Sequence, residues 1–154
     1  MSEDELRREF QSITNELQRF DDYGKQLQVQ IETLQNYLID LSRSKATLSG
    51  LKEETNPEET LIQLGSGIML RAKPIQTDKV FYNVGSGVIV EKSLDDAIKE
   101  VDRRMDEVEK ERLALADQLD QIINQINIME QKAQAIYQQL QGPSKPTYDP
   151  SLVS

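Results

Sequence analysis

The 154-residue chain contains no cysteine, no histidine and no tryptophan. Each absence removes a class of chemistry. Without cysteine there is no disulfide frame, no thiolate nucleophile and no zinc ribbon, and a reducing compartment suits the chain. Without histidine, imidazole acid–base catalysis and histidine metal ligation go as well. Aromatic residues make up only 5% of the sequence while 29% is charged, a balance that fits long solvated helices better than a spherical core. No apolar run approaches the roughly 20 residues of a membrane span. The opening Met1-Ser2-Glu3-Asp4-Glu5 lacks the basic start and apolar stretch of a signal peptide. The expectation is a soluble, cytoplasmic protein with no membrane partner. Positive charge is scarce too: the formal net charge is -9, whereas nucleic-acid phosphates call for a concentrated basic face. No nucleic-acid partner is expected. Asp21-Asp22 and Asp95-Asp96 are neighbours in helical sequence, which points their carboxylates to different sides. They make poor catalytic dyads, so the chain is expected to be no enzyme and to need no metal or cofactor.

What is present is a β-branched middle, Leu61 to Lys92, between two heptad segments. The middle is an internal repeat. Leu61-Ile62-Gln63-Leu64-Gly65-Ser66-Gly67-Ile68-Met69-Leu70 returns twenty residues later as Phe81-Tyr82-Asn83-Val84-Gly85-Ser86-Gly87-Val88-Ile89-Val90. Each copy is two short apolar runs around a glycine pair, the pattern of a hairpin or of strands bent at a bulge. Gly65, Gly67, Gly85 and Gly87 are the turn or bulge residues. A phosphate loop is excluded on context, because its glycine turn must feed a helix N-terminus and here each triplet feeds another strand. Isolated hairpins are marginal in water, and open strand edges invite other chains. The block is expected to complete itself with strands from other subunits.

Ahead of it, apolar residues recur at alternating spacings of four and three: Leu6, Phe10, Ile13, Leu17, Phe20, Leu27, Ile31, Leu34, Leu38, Leu41 and Leu48. Gly24 and Lys45 interrupt the series. Such a 3.5-residue repeat keeps one seam toward a partner helix. Ser49-Gly50 is the expected stop, and Glu53-Glu54-Thr55-Asn56-Pro57 a polar connector. After the block, Ser93 stands as an N-cap with Asp95 and Asp96 in the first turn. The second seam runs Leu94, Ile98, Val101, Met105, Val108, Arg112, Leu115, Leu119, Ile122, Ile126, Met129, Ala133, Ile136 and Leu140, and Gly142-Pro143 stops it. The fold class is therefore α+β: a long antiparallel coiled-coil hairpin carrying two small β-hairpins at the bend. As one domain over 1–154, it divides into a helix at 5–50, a hairpin module at 59–92, a helix at 93–141 and a proline-bearing, disordered tail at 142–154. Antiparallel pairing sets Leu48 near Leu94, Lys45 near Ile98, and Leu6 near Ile136 and Leu140. Lys45 and Arg112 are polar seam residues that fix register. From Leu113 to Gln141 charges thin out and glutamines take over, while Leu113, Ile123, Ile128 and Tyr137 stand off the seam. Either a further helix covers them or they form an adhesive surface for non-native chains.

Heptad helix, connector, two glycine-bearing β repeats, capped heptad helix: over residues 5 to 141 this pattern resembles the prefoldin α-type subunit, archaeal-like. The most specific stretches are Glu59-Thr60-Leu61-Ile62-Gln63-Leu64-Gly65-Ser66-Gly67, Val84-Gly85-Ser86-Gly87-Val88, and Ser93-Leu94-Asp95-Asp96-Ala97. The doubled hairpin matters, since β-type subunits carry one. The resemblance implies a hexamer of two α-type and four β-type subunits built on an oligomeric β-barrel, with unfolded client proteins held at coiled-coil tips without ATP and passed to a group II chaperonin. It implies that Leu61, Ile62, Leu64, Ile68, Leu70, Val80, Tyr82, Val84, Val88 and Val90 belong to the oligomer interface. It places client contact at Leu6, Phe10, Ile13, Ile136 and Leu140. The rival function is a scaffolding coiled coil whose hairpins only oligomerise and whose tips bind one defined partner. An RNA-binding arm would need a basic stripe that the sequence lacks.

Overall fold

A computed structural model describes residues 1–53, 60–73 and 78–142 of the chain. Two helices, α1 (Glu3–Glu53) and α2 (Leu94–Gln141), flank four strands, β1 (Thr60–Gly65), β2 (Ile68–Ala72), β3 (Lys79–Gly85) and β4 (Val88–Ser93). The strands form two separate antiparallel hairpins, β1–β2 and β3–β4. The expected polar connector beyond Glu53 and the expected disordered tail from 143 onward lie outside the described residues.

The helix ends follow local chemistry. Ser2 and Glu5 form a reciprocal cap on α1: the Ser2 N–H donates to Glu5 Oε2 at 2.9 Å, and the Glu5 N–H donates to Ser2 Oγ at 3.3 Å. This Ser-x-x-Glu box was readable in the sequence and explains why α1 starts two residues earlier than the periodicity suggests. At the other end α1 does not stop at Ser49-Gly50 but runs one turn further. A helical glycine costs about 1 kcal/mol; half-buried Leu51 and an ion pair from Lys52 Nζ to Asp95 at 2.6 Å offset it. Ser93 caps α2 as expected, its Oγ accepting from the Asp96 N–H at 3.2 Å.

Packing divides the chain into two units, one of Glu32–Leu113 and one that joins Met1–Ile31 with the helical stretch from Ala114 onward. In the first, here the hairpin unit, Leu41, Val101 and Val108 form the core, with Leu34, Leu38, Leu48 and Met105 packed against it. Lys45 Nζ reaches Asp102 at 2.6 Å and Arg104 donates to Tyr37 Oη at 3.3 Å, so the two helical segments are antiparallel within a turn of the expected register. Lys45 thus does cross to the other helix. Arg112 does not: its guanidinium is held by Glu109 on its own helix, at 2.5 and 2.9 Å.

In the second, the helical unit, Ile13, Gly24, Leu27 and Ile136 are buried and the other seam residues half-buried. Tyr23 Oη lies 3.4 Å from Gln118 Oε1, and the Phe10 and Tyr137 rings are 6.2 Å apart, which fixes antiparallel pairing here as well. A methyl placed on Gly24 would meet Ile122 Cγ2 at 3.6 Å and Leu119 Cδ1 at 3.8 Å, ordinary contact distances. The seam has room for alanine at this point.

Candidate functional site

Two regions hold the candidate residues. The first is the pair of hairpins. Each turns on a Ser-Gly pair in the left-handed region, Ser66 at φ 49° with Gly67 at 79° and Ser86 at 52° with Gly87 at 77°. That is the type I′ geometry whose twist matches flanking strands. Each also carries a bulge one residue earlier. The register slips between Gln63 and Gly65 and again between Asn83 and Gly85, leaving Leu64 and Val84 as the extra residues. In the second hairpin the Asn83 side chain holds the bulge, its Oδ1 accepting from the Gly85 N–H at 2.9 Å. The sequence reading of turn-or-bulge glycines resolves to both at once.

The hairpins differ in what covers them. In β1–β2, Leu61, Ile62, Leu64, Ile68, Met69 and Leu70 are all exposed. Side chains alternate between faces, so both faces of this hairpin are apolar and bare. In β3–β4 one face is covered. Val80, Tyr82 and Val90 are half-buried, whereas Phe81, Val84, Val88 and Ile89 are exposed, Phe81 to 78%. Val80, Phe81 and Tyr82 border a cleft of ≈ 530 Å³ with Leu41, Leu48, Ala97 and Val101 of the helices. Within the chain Val80, Tyr82 and Val90 are half-covered, while Phe81 and Ile89 stand exposed. Met69 adds to the bare first hairpin. Strict alternation across β3 does not by itself say which face the chain covers.

Charge organises the same neighbourhood. The Arg104 guanidinium sits 4.6 Å from the centre of the Tyr82 ring and Lys92 Nζ 5.2 Å, a distance at which the ring face attracts cations. Burial pushes the Tyr82 phenol up from its usual pKa, against the pull of Arg104. Its Oη is buried without a hydrogen-bond partner among the described residues. Glu100 accepts a forked pair from Arg103 at 2.6 and 3.0 Å, and this hydrogen bonding holds its carboxyl down at about 2. Among the described residues no group of acidic side chains is arranged to hold a metal ion, and no helix is long and apolar enough to cross a membrane.

The second region is the tip of the helical unit, where α1 begins and α2 ends. Of the five residues expected there, the structure brings Phe10 and Leu140 together in one open groove of ≈ 410 Å³, with Arg7, Gln11, Thr14 and Asn15. Leu6 is half-buried beside them in sequence. Ile13 and Ile136, each 8% exposed, are seam residues closed against solvent, and only opening of the helix pair would uncover them. Tyr137, which the sequence marks as off the seam, sets its ring against that of Phe10 at a tilt of 35° and is half exposed. The Gln141 amide donates to its hydroxyl at 2.6 Å. Ile123, Ile128, Tyr23 and Val29 add further exposed apolar surface in this unit.

The family model described as prefoldin subunit matches residues 20–139. Over 111 residues the chain is 30% identical to the protein named prefoldin subunit alpha of Methanopyrus kandleri, covering 72% of this chain and 71% of that one. The likeness to prefoldin subunit alpha of Methanoregula boonei is 33% over 127 residues, covering 80% and 82%. Among solved structures, filamentous PFD from Methanocaldococcus jannaschii, seen by cryo-EM, shares the fold with a TM-score of 0.65 at 24% identity, over 77% of this chain and 98% of that chain. Both hairpins, α1 from Phe20 onward and α2 as far as Gln139 fall in the matched span, and the chain belongs to the prefoldin family of chaperones, among its alpha subunits.

Proposed function

We propose that the chain is the α-type subunit of an ATP-independent holdase that works in the cytoplasm. The hairpin unit joins β-type subunits, in a hexamer of two α-type and four β-type chains, through strand addition and the bare apolar faces of β1–β2 and β3–β4. Leu61, Ile62, Leu64, Ile68, Leu70, Val84 and Val88 make these contacts with Phe81 and Ile89. Val80, Tyr82 and Val90 support the second hairpin from below. The helical unit holds unfolded proteins at its tip and releases them to a group II chaperonin.

The observation that carries the capture role is the tip groove, where Phe10 of α1 meets Leu140 of α2. Leu6 and Tyr137 extend its apolar surface. Ile13 and Ile136 take part only when the seam frays from the chain ends. Individual contacts of this kind are weak, and useful affinity comes from several tips gripping one chain.

The test is promiscuity. Two unrelated denatured proteins are diluted into the assembled complex and their aggregation followed by light scattering. Suppression of both is expected. Protection of neither, with tight binding of one folded partner, would establish a scaffolding coiled coil instead.

A further inference from the structure

The rim of the tip groove has a specific hydrogen-bonding character. Its floor is Phe10 and Leu140; its rim is Arg7, Gln11, Thr14 and Asn15. Two of the four rim groups are already engaged. Arg7 Nη2 pairs with Glu3 Oε1 at 2.6 Å on the exposed surface of α1. Thr14 donates its hydroxyl to the Phe10 carbonyl at 2.9 Å. The amides of Gln11 and Asn15 have no protein partner among the described residues and are exposed.

Gln11 and Asn15 stand four residues apart on α1, on one face and about 6 Å apart along the axis. An extended chain repeats its peptide N–H and C=O groups along one edge every two residues, about 6.6–6.8 Å. The two spacings agree to within about 1 Å. A carboxamide both donates and accepts, as a peptide group does. Side chains of an extended segment alternate sides, so a segment paired with the two amides would turn alternate side chains toward Phe10 and Leu140.

We propose that the tip groove recognises an extended, uncharged segment of a non-native chain by its backbone, through Gln11 and Asn15, while alternate apolar side chains seat on Phe10 and Leu140. This rests on the holdase reading and names the chemistry of the client segment. Such a groove reads groups that every polypeptide has, whatever the charge of its side chains. Binding of this kind is nearly indifferent to ionic strength, because no ion pair is made for salt to screen.

The experiment uses the assembled complex and two fluorescent peptides of alternating phenylalanine and serine, one ordinary and one N-methylated throughout. Fluorescence anisotropy reads the affinity. The wild type is expected to prefer the ordinary peptide by about tenfold, the scale of two hydrogen bonds, with little change on adding salt. A Gln11→Ala/Asn15→Ala variant, altered only at exposed positions, is expected to lose that preference. Equal binding of both peptides by the wild type, or an unchanged preference in the variant, overturns backbone recognition and leaves client capture standing. Binding of neither peptide overturns both.

Discussion

Gly24 is the one seam position where α1 offers no side chain, and the structure gives the consequence of filling it. A Cβ there would lie 3.6 Å from Ile122 Cγ2 and 3.8 Å from Leu119 Cδ1. These are contact distances, not clashes. Two gains add. Alanine is favoured over glycine in a helix by about 0.8–1.0 kcal/mol, and burying one further methyl is worth about 0.8 kcal/mol. Gly24→Ala should therefore stabilise the protein by about 1–2 kcal/mol. At roughly 2–4 °C per kcal/mol for a chain of this size, the thermal midpoint should rise by about 2–8 °C. Circular dichroism melts at fixed protein concentration measure it, since assembly makes the midpoint depend on concentration. An unchanged or lower midpoint would refute the reasoning and assign the glycine a conformational role that a methyl blocks.

Other substitutions probe the hairpin unit. Because Arg103 holds the Glu100 carboxyl at about 2 in the folded state, below its ordinary value, the folded state binds that proton less readily than the unfolded one. The resulting stabilisation is complete above about pH 4.5 and is lost as pH falls toward 2; in acid melts Glu100→Gln should show a shallower decline. Lys45 bridges to Asp102 on the other helix, whereas among the described residues Arg112 pairs with Glu109 on its own. Arg112→Leu should therefore raise stability with unchanged register, and Lys45→Leu should loosen register. Disulfide formation between cysteines introduced at positions 48 and 94 reports the alignment. Tyr82→Phe removes a buried hydroxyl that has no partner among the described residues and keeps the ring beneath Arg104; melts should show stability unchanged or raised by up to about 1 kcal/mol.

The seams were legible because they are one-sided. A helix that buries one stripe must repeat its apolar residues every 3.5 positions, and each residue read into the two seams, from Leu6 to Leu140, is buried or half-buried. The turns were legible because Ser66-Gly67 and Ser86-Gly87 need a left-handed backbone that few residue pairs accept. Hairpin faces were harder. In β3 both Tyr82 and its neighbour Phe81 are large and aromatic, so alternation alone gave no preference. The covered ring, Tyr82, lies against Lys92 and Arg104, the latter far off in sequence. The burial of Ile13 and Ile136 escaped for a related reason: periodicity marks a seam but does not show how near its end the seam stays closed. α1 continues past Gly50 to Glu53, and Lys52 meets Asp95 there, a contact between helices that no local rule contains.

The central claim divides labour between an assembling hairpin unit and a capturing tip. A Leu6→Ser/Phe10→Ser/Leu140→Ser variant leaves the buried Ile13 and Ile136 and every hairpin residue untouched. Light scattering of a denatured protein diluted into the assembled variant, alongside its mass by sedimentation, separates the two roles. Loss of protection with the assembled mass of the wild type is the predicted result. Protection at the wild-type stoichiometry, with the mass again unchanged, would contradict capture at the tip.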